Sequence, residues 1–203
     1  MSNCLDTEFY HRPTAVVARA LIGMRLVRTV VLDGLKSRVS GLIVETEAYG
    51  GGDDPASHAR MGRTPRNAVM FGQVGRAYVY FTYGNHYCVN VSAKSTRQPA
   101  GAVLIRALAP TEGISLMASN RNLDDIYSLA SGPGKLTQAM GITSSHNGVD
   151  MTSSNSELYI ERGITPTRIF STARIGITRA TEKRWRFVDP TSLHVSKKVR
   201  IKV

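Results

Sequence analysis

The order of strand-like and helix-like segments predicts an α+β fold, a single domain over residues 1–203 with a mainly antiparallel sheet. Three observations carry that expectation. Segments that read as strands come as neighbouring pairs around short turns, the pattern of antiparallel hairpins. Helical segments fall between these pairs without the regular alternation of a parallel βαβ fold. No repeat, low-complexity tract or linker-like stretch divides the 203 residues, a length that suits one ordinary domain.

Taken along the chain, PTAVVARALIG (Pro13–Gly23) has the Pro-first, Gly-last punctuation of a short helix. MRLVRTVVL and SRVSGLIVETEAY read as strands around a turn at Asp33 and Gly34. Residues 50–66, GGGDDPASHARMGRTPR, are rich in glycine, proline and charge and read as a long surface loop. Loops of that length in a compact domain are usually functional or disordered. YVYFTYGNHYCVNV (residues 78–91) reads as two strands around Gly84 and Asn85. This puts Tyr83 at or near a hairpin tip, where small polar residues are usual. GAVLIRAL follows as a strand. Pro110–Asn120 and Pro133–Met140 read as helices, the second closed by Gly141. LYIERG, TARIGI and WRFV are strand-like pieces near the end.

Composition narrows the function classes. With 42% hydrophobic and 20% charged residues the chain can bury a core. No apolar run approaches the ~20 residues that span a bilayer. The start, MSNCLD, lacks the basic and apolar regions of a signal peptide. The expectation is a soluble, intracellular chain with no membrane partner. Two cysteines, Cys4 and Cys88, and five scattered histidines give neither a disulfide framework nor metal-ligand spacing, so no metal and no cofactor are expected. The net charge is +11 with a pI near 10.1. Between Arg168 and Val203 stand ten basic and two acidic residues, Glu182 and Asp189, so +8 of the +11 lies there. Such an excess favours polyanions, nucleic acid ahead of a membrane surface, with a merely solubilising surface as the alternative.

Several residues carry chemistry. In GLIVETEAY a regular strand would put Ile43, Glu45, Glu47 and Tyr49 on one face, with the two carboxylates roughly 7 Å apart. A carboxylate near an apolar pocket and a second acid gains a raised pKa, which suits a general base acting on water. The spacing equally suits a solvent-facing strand or two salt bridges. Tyr49, His58 and Tyr80 are flat rings near that candidate base. Such rings sandwich an unpaired nucleobase for about 1–3 kcal/mol per base, or else simply pack a core. SGPGK (Ser131–Lys135) opens a helix whose free N–H groups and lysine suit a phosphate, or an ordinary N-cap. Arg60, Arg63, Arg66 and Arg76 surround the loop and the hairpin's approach. Arg106, inside the apolar AVLIRAL, needs a partner such as Glu47 or a phosphate. The set suits an enzyme working on a base extruded from a duplex. A non-catalytic nucleic-acid-binding module is the alternative, though it gives no reason for Glu47 with Arg106.

Several motifs occur together and in order: VETEAY, Asp54-x-x-x-His58, TPRNxxMF (Thr64–Phe71), YVYFTYGNHYCVN, VLIRAL and SGPGKL. With them the chain resembles the alkyladenine (3-methyladenine) DNA glycosylases of the AAG/MPG type. The likeness runs from FYHRPTAVVARALIG to RIGIT and WRF. It implies a curved sheet with flanking helices and a protruding β-hairpin that enters the DNA minor groove. Tyr83 then matches the wedge that intercalates where a nucleotide has flipped out, offsetting the unstacking cost. Glu47 matches the general base that activates water for attack on the sugar C1′, and Arg106 the arginine that positions that water. Tyr49, His58 and Tyr80 match the stacking rings, and Asn90 the pocket-floor asparagine that crowds the guanine 2-amino group. Glu45 has no catalytic counterpart. Arg63, Arg66, Met70, Ser131, Lys135 and Arg179 become DNA-backbone candidates.

The implied partner is double-stranded DNA with damaged purines of the 3-methyladenine, 7-methylguanine, hypoxanthine and ethenoadenine class. The enzyme would be a monomer that starts base excision repair, with water rather than a lysine as nucleophile. The chain lacks the long N-terminal extension of the mammalian enzymes, which favours a bacterial cytoplasm over a nucleus. SAKSTRQPAG (residues 92–101) and the basic tail KKVRIK (residues 197–202) depart from the pattern.

Overall fold

The computed structural model describes residues 3–82 and 84–199. Its backbone is eight strands: β1 (Arg25–Leu32), β2 (Leu35–Tyr49), β3 (Ala77–Thr82), β4 (His86–Ser92), β5 (Ala102–Glu112), β6 (Leu158–Glu161), β7 (Phe170–Thr172) and β8 (Arg186–Val188). All pair antiparallel in one sheet of order β3-β4-β5-β2-β1-β6, with β8 on β2 and β7 on β8. The sheet curls into a half-barrel. Six short helices accompany it: α1 (Thr7–Tyr10), α2 (Thr14–Ala20), α3 (Ala68–Phe71), α4 (Ile114–Arg121), α5 (Ile126–Leu129) and α6 (Pro133–Met140). None of the helices described is long and apolar enough to cross a membrane.

β2 is the axis of the fold. It joins β1 through Asp33 and Gly34, both at positive φ (51° and 77°), as a two-residue hairpin turn demands. One edge of β2 carries β5 from Ser40 to Tyr49; the other carries β1 along its first half and β8 at Glu45–Glu47. Its start is exposed, whereas Val39–Ala48 is buried apart from half-buried Leu42. The core gathers on this strand: Leu26, Ile43, Ile105, Leu108, Met117 and Leu136 are all fully buried. Each such side chain stabilises the fold by about 1.5–3 kcal/mol.

Two expected elements differ. The helix expected from Pro110 begins only at Ile114, because β5 runs on through Pro110 to Glu112. Pro110 pairs with Gly41 beside a bulge that leaves Thr111 over, a place where a missing N–H is tolerated. In TARIGI only Thr172 belongs to a strand. Residues 173–177 are irregular because Arg174 turns inward and the Ile175 N–H serves a side chain instead of a ladder. The Pro133–Met140 helix is as expected, closed by Gly141 at φ 64°.

The loop after β2 contains turns only, yet it is ordered from within. Asp54 accepts from the Gly50 N–H (3.0 Å), Ser57 Oγ donates to the Gly50 carbonyl (2.6 Å), and Asn67 Nδ2 donates to the carbonyls of His58 (2.9 Å) and Gly62 (3.0 Å). Asp54, Ser57 and Asn67 are buried, so this long loop is a packed Ω-like unit.

Candidate active site

The site grows from two compensating bulges between β2 and β5. Ile43 faces Leu108, Glu45 faces Ala107 and Thr46 faces Ile105, so Val44 on one strand and Arg106 on the other are extra residues. A bulge re-aims the side chain that it carries. Arg106, only 8% exposed, is thereby directed at both carboxylates of β2: Nε lies 3.0 Å from Glu45 Oε1 and Nη1 3.3 Å from Glu47 Oε2. Strict alternation fails at Val44, yet Glu45, Glu47 and Tyr49 still share one side, since Tyr49 Oη donates to Glu47 Oε2 at 2.8 Å.

Both glutamates are fully buried, with opposite consequences. At Glu47, burial pushes the carboxyl above the ordinary glutamate range, against the pull of Arg106, the Ile175 N–H (2.7 Å to Oε1) and Tyr49. At Glu45 burial acts in the same sense but loses. Arg106 and Arg186 (Nε to Oε1, 2.7 Å), with the Ser196 N–H (2.6 Å to Oε2), hold its carboxyl low.

Beside Glu47 lies a cavity of about 230 Å³ lined by Tyr49, His58, Tyr78, Tyr80, Asn90 and Arg106 among others. The three protein groups that hold the Glu47 carboxylate, from Tyr49, Arg106 and Ile175, belong to residues of its wall. The His58 and Tyr80 ring centroids are 4.7 Å apart at 73°, and His58 Nδ1 lies 3.0 Å from Tyr78 Oη. Burial, then Arg66 and Arg60, lowers the His58 pKa and keeps the imidazole neutral. Asn90 is 3% exposed, its Nδ2 donating to the Tyr78 carbonyl at 2.9 Å. Burial raises the Tyr80 hydroxyl and pushes that of Tyr78 up to about 12, so both rings stay uncharged. A buried carboxylate beside an aromatic chamber can take a proton from water next to a flat, unpaired base.

The methylpurine-DNA glycosylase family matches residues 8–192 of this chain. A protein of Methanocella arvoryzae, provisionally named a 3-methyladenine DNA glycosylase, is 48% identical over 198 residues, covering 96% of each chain. Two relatives with the same provisional name are similar along most of their length. One from Prosthecochloris aestuarii is 45% identical over 94% of this chain and 89% of its own. One from Rhodopseudomonas palustris strain BisB5 is 48% identical over 95% and 90%. The chain belongs to the methylpurine-DNA glycosylase family. It is a DNA glycosylase, a hydrolase of N-glycosyl bonds with DNA as its partner.

Around the cavity of this glycosylase the basic residues divide into available and occupied. Arg63 is exposed on the loop. Arg66 is exposed too, with its guanidinium 5.4 Å from the centre of the Tyr80 ring. Arg179 and Arg60 flank a shallow cleft that shares Ala56, Gly176 and Ile177 with the cavity wall. Lys135 is exposed, its Nζ 3.4 Å from Ser131 Oγ. The start of α6 reaches the cavity through Pro133 and presses on β4 so closely that a Cβ on Gly134 would meet His86 at 2.9 Å.

Other basic and motif residues are engaged within the protein. Met70 is 1% exposed and packs with Ala59, Tyr78 and Ala102, its side chain lining the cavity. Arg76 pairs with Asp150 at 3.5 Å. Of the ten basic residues from Arg168 onward, Arg174 and Arg186 are buried against acids. Tyr83 and residues 200–203 lie outside the described residues. On either side of Tyr83, Thr82 and His86 pair, and Gly84 has φ 73°.

Sequence reasoning missed the supports. Asp54, noticed only as a motif letter, is held by Arg174 at 2.6 and 2.7 Å, both side chains wholly buried. The Arg174 guanidinium lies 4.7 Å from the Tyr49 ring and 5.4 Å from that of Trp185, and the next residue donates its N–H to Glu47. The signal was available: Arg174 sits in a short apolar run, as Arg106 does, and a buried cation needs a partner. Arg186, in WRFV, offered the same signal, and Ser196 offered none. No group of three or more His, Cys, Asp or Glu among the described residues suits a metal ion.

Proposed function

We propose that this glycosylase is monofunctional and acts on damaged purines of the 3-methyladenine, 7-methylguanine, hypoxanthine and ethenoadenine class, turned out of the duplex into the cavity. The observation that carries the reading is the Glu47 carboxylate. It is fully buried, raised in pKa and, among the described residues, bonded to groups of the cavity wall. Tyr49, His58 and Tyr80 stack on the extruded base, and Asn90 at the floor crowds a guanine 2-amino group. Tyr83 fills the space left in the duplex, while Arg63, Arg66, Arg179, Ser131 and Lys135 hold phosphates.

Water lies against both the Arg106 guanidinium and Glu47 Oε2, whose direct contact at 3.3 Å is the longest that this carboxylate makes. As the C1′–N bond breaks, its electron pair leaves with the base. The water oxygen bonds to C1′ and Glu47 takes the proton, while its charge stabilises the cationic sugar. A base made cationic by alkylation leaves readily and is favoured by electron-rich rings. No lysine is among the cavity residues, in keeping with water as the nucleophile and no Schiff base. The protein acts as a monomer at the first step of base excision repair.

Single-turnover base release from a duplex bearing one hypoxanthine or ethenoadenine tests this. Wild type is expected to release the base, with strand breaks only after alkali, and Glu47→Gln to lose the activity. Breaks without alkali would show a lyase. No release from these lesions or from methylated DNA would leave a binding protein on this fold.

A further inference from the structure

The Arg106 guanidinium is held at all three nitrogens, each by a different partner. Nε donates to Glu45 Oε1 at 3.0 Å, Nη1 to Glu47 Oε2 at 3.3 Å, and Nη2 to Ser196 Oγ at 3.4 Å. Ser196 is remote in sequence, and it lies beyond the residues 8–192 that the family matches. It belongs to an irregular C-terminal strap across the β8 side of the site, tied there by Arg186 Nη2, which donates to the Lys197 carbonyl.

The strap bonds twice to the structural carboxylate. The Ser196 N–H donates to Glu45 Oε2 at 2.6 Å, and Oγ donates to Oε1 at 2.8 Å while accepting from Arg106. With its hydrogen committed to Glu45, the hydroxyl turns a lone pair to the guanidinium.

We infer that Ser196 is a positioning residue for base excision, fixing the plane of Arg106 so that Nη1 stays on Glu47. A planar guanidinium held only through Nε and Nη1 pivots about the Glu45 bond, whereas a third point locks it. The strap thus acts on the reaction through Arg106, a residue of the cavity wall, while Ser196 itself does not line the cavity. The inference rests on the reading of Glu47 and Arg106 as the groups that activate water.

The test compares the full chain with Ser196→Ala, which removes the hydroxyl and keeps the N–H, and with Ser196→Thr, which keeps both. Single-turnover base release, DNA affinity, the pH–rate profile and the melting midpoint are measured, with Glu47→Gln in parallel. Ser196→Ala removes two hydrogen bonds, Oγ to Glu45 Oε1 and Arg106 Nη2 to Oγ, and loss of the second, which fixes the guanidinium plane, predicts a rate lowered by about three- to tenfold. DNA affinity should stay unchanged, and the acid limb should move to higher pH, because the cation that holds the Glu47 carboxyl down is less firmly placed. Ser196→Thr should recover both rate and limb.

A wild-type rate and limb in Ser196→Ala would overturn the inference. So would a rate loss that follows the melting midpoint alone, with no movement of the limb and no rescue by threonine. If Ser196→Ala does not fold, Ser196→Cys keeps the volume with a weaker hydrogen-bonding group. A slowed rate with a displaced limb there supports the inference, and wild-type behaviour overturns it. Base release that survives in Glu47→Gln instead overturns the reading of Glu47, and the inference with it, whatever Ser196→Ala does.

Discussion

Glu45 and Glu47 stand two residues apart on β2, equally buried and touching the same arginine, yet their surroundings make them different chemical groups. Around Glu45, two arginines and a serine close every direction, and the carboxyl is held below its ordinary range. Around Glu47 there is one arginine, a main-chain N–H and a phenol, each at the wall of a cavity, and burial prevails. The number of cations bonded directly to each carboxylate, not depth, separates the one held low from the one held high.

The largest expected effect breaks the comparison at Glu47. Glu47→Gln should lower single-turnover base release by about 10²–10⁴-fold, the usual worth of a general base. The melting midpoint should not fall, since Arg106 keeps Glu45. Glu45→Gln should act chiefly on stability. It leaves Arg106 and Arg186 buried with one anion fewer, a destabilisation of about 3–5 kcal/mol, read from denaturant midpoints.

The pH dependences carry opposite signs. Glu45 has a lowered folded pKa. It stabilises the protein above the ordinary glutamate value of 4.5, and that contribution is lost as pH falls through the lowered folded value. Glu47 has a raised one, so its ionisation opposes folding as pH rises, while the proposed mechanism requires it. Tyr49→Phe sharpens this by removing one hydrogen bond that lowers the Glu47 pKa. The acid limb of the rate should move upward by about 0.5–1 pH unit, measured on a pH–rate profile. The smallest expected effect lies off the strand. Arg179→Ala should leave the catalytic step unchanged while weakening DNA binding, and should reduce the salt slope of log K by about one.

Much of this was legible in the residues. Asp33-Gly34 wrote its own hairpin, Pro133 and Gly141 bounded their helix, and the alternation in LIVETEAY pointed two acids one way. These are local effects, set by φ preference, capping and the pleat within a few residues. Pro110 misled because its ring is as welcome at a bulge as at a helix start, and only the register with Gly41 decides. The same holds for Arg106: an arginine in an apolar run announced a buried partner, but the choice of both glutamates required the paired bulges at Val44 and Arg106.

What the chain determined by itself, then, is the family, the sheet and the residue types at the site, since motifs and periodicity are properties of neighbouring residues. What only the tertiary structure decided is how the surroundings of the two glutamates differ. That depends on Arg186, lying 141 positions from Glu45, on Ser196 at 151, and on the Ile175 N–H at 128 from Glu47. Burial and charge pairing act through space, across distances that sequence order does not encode.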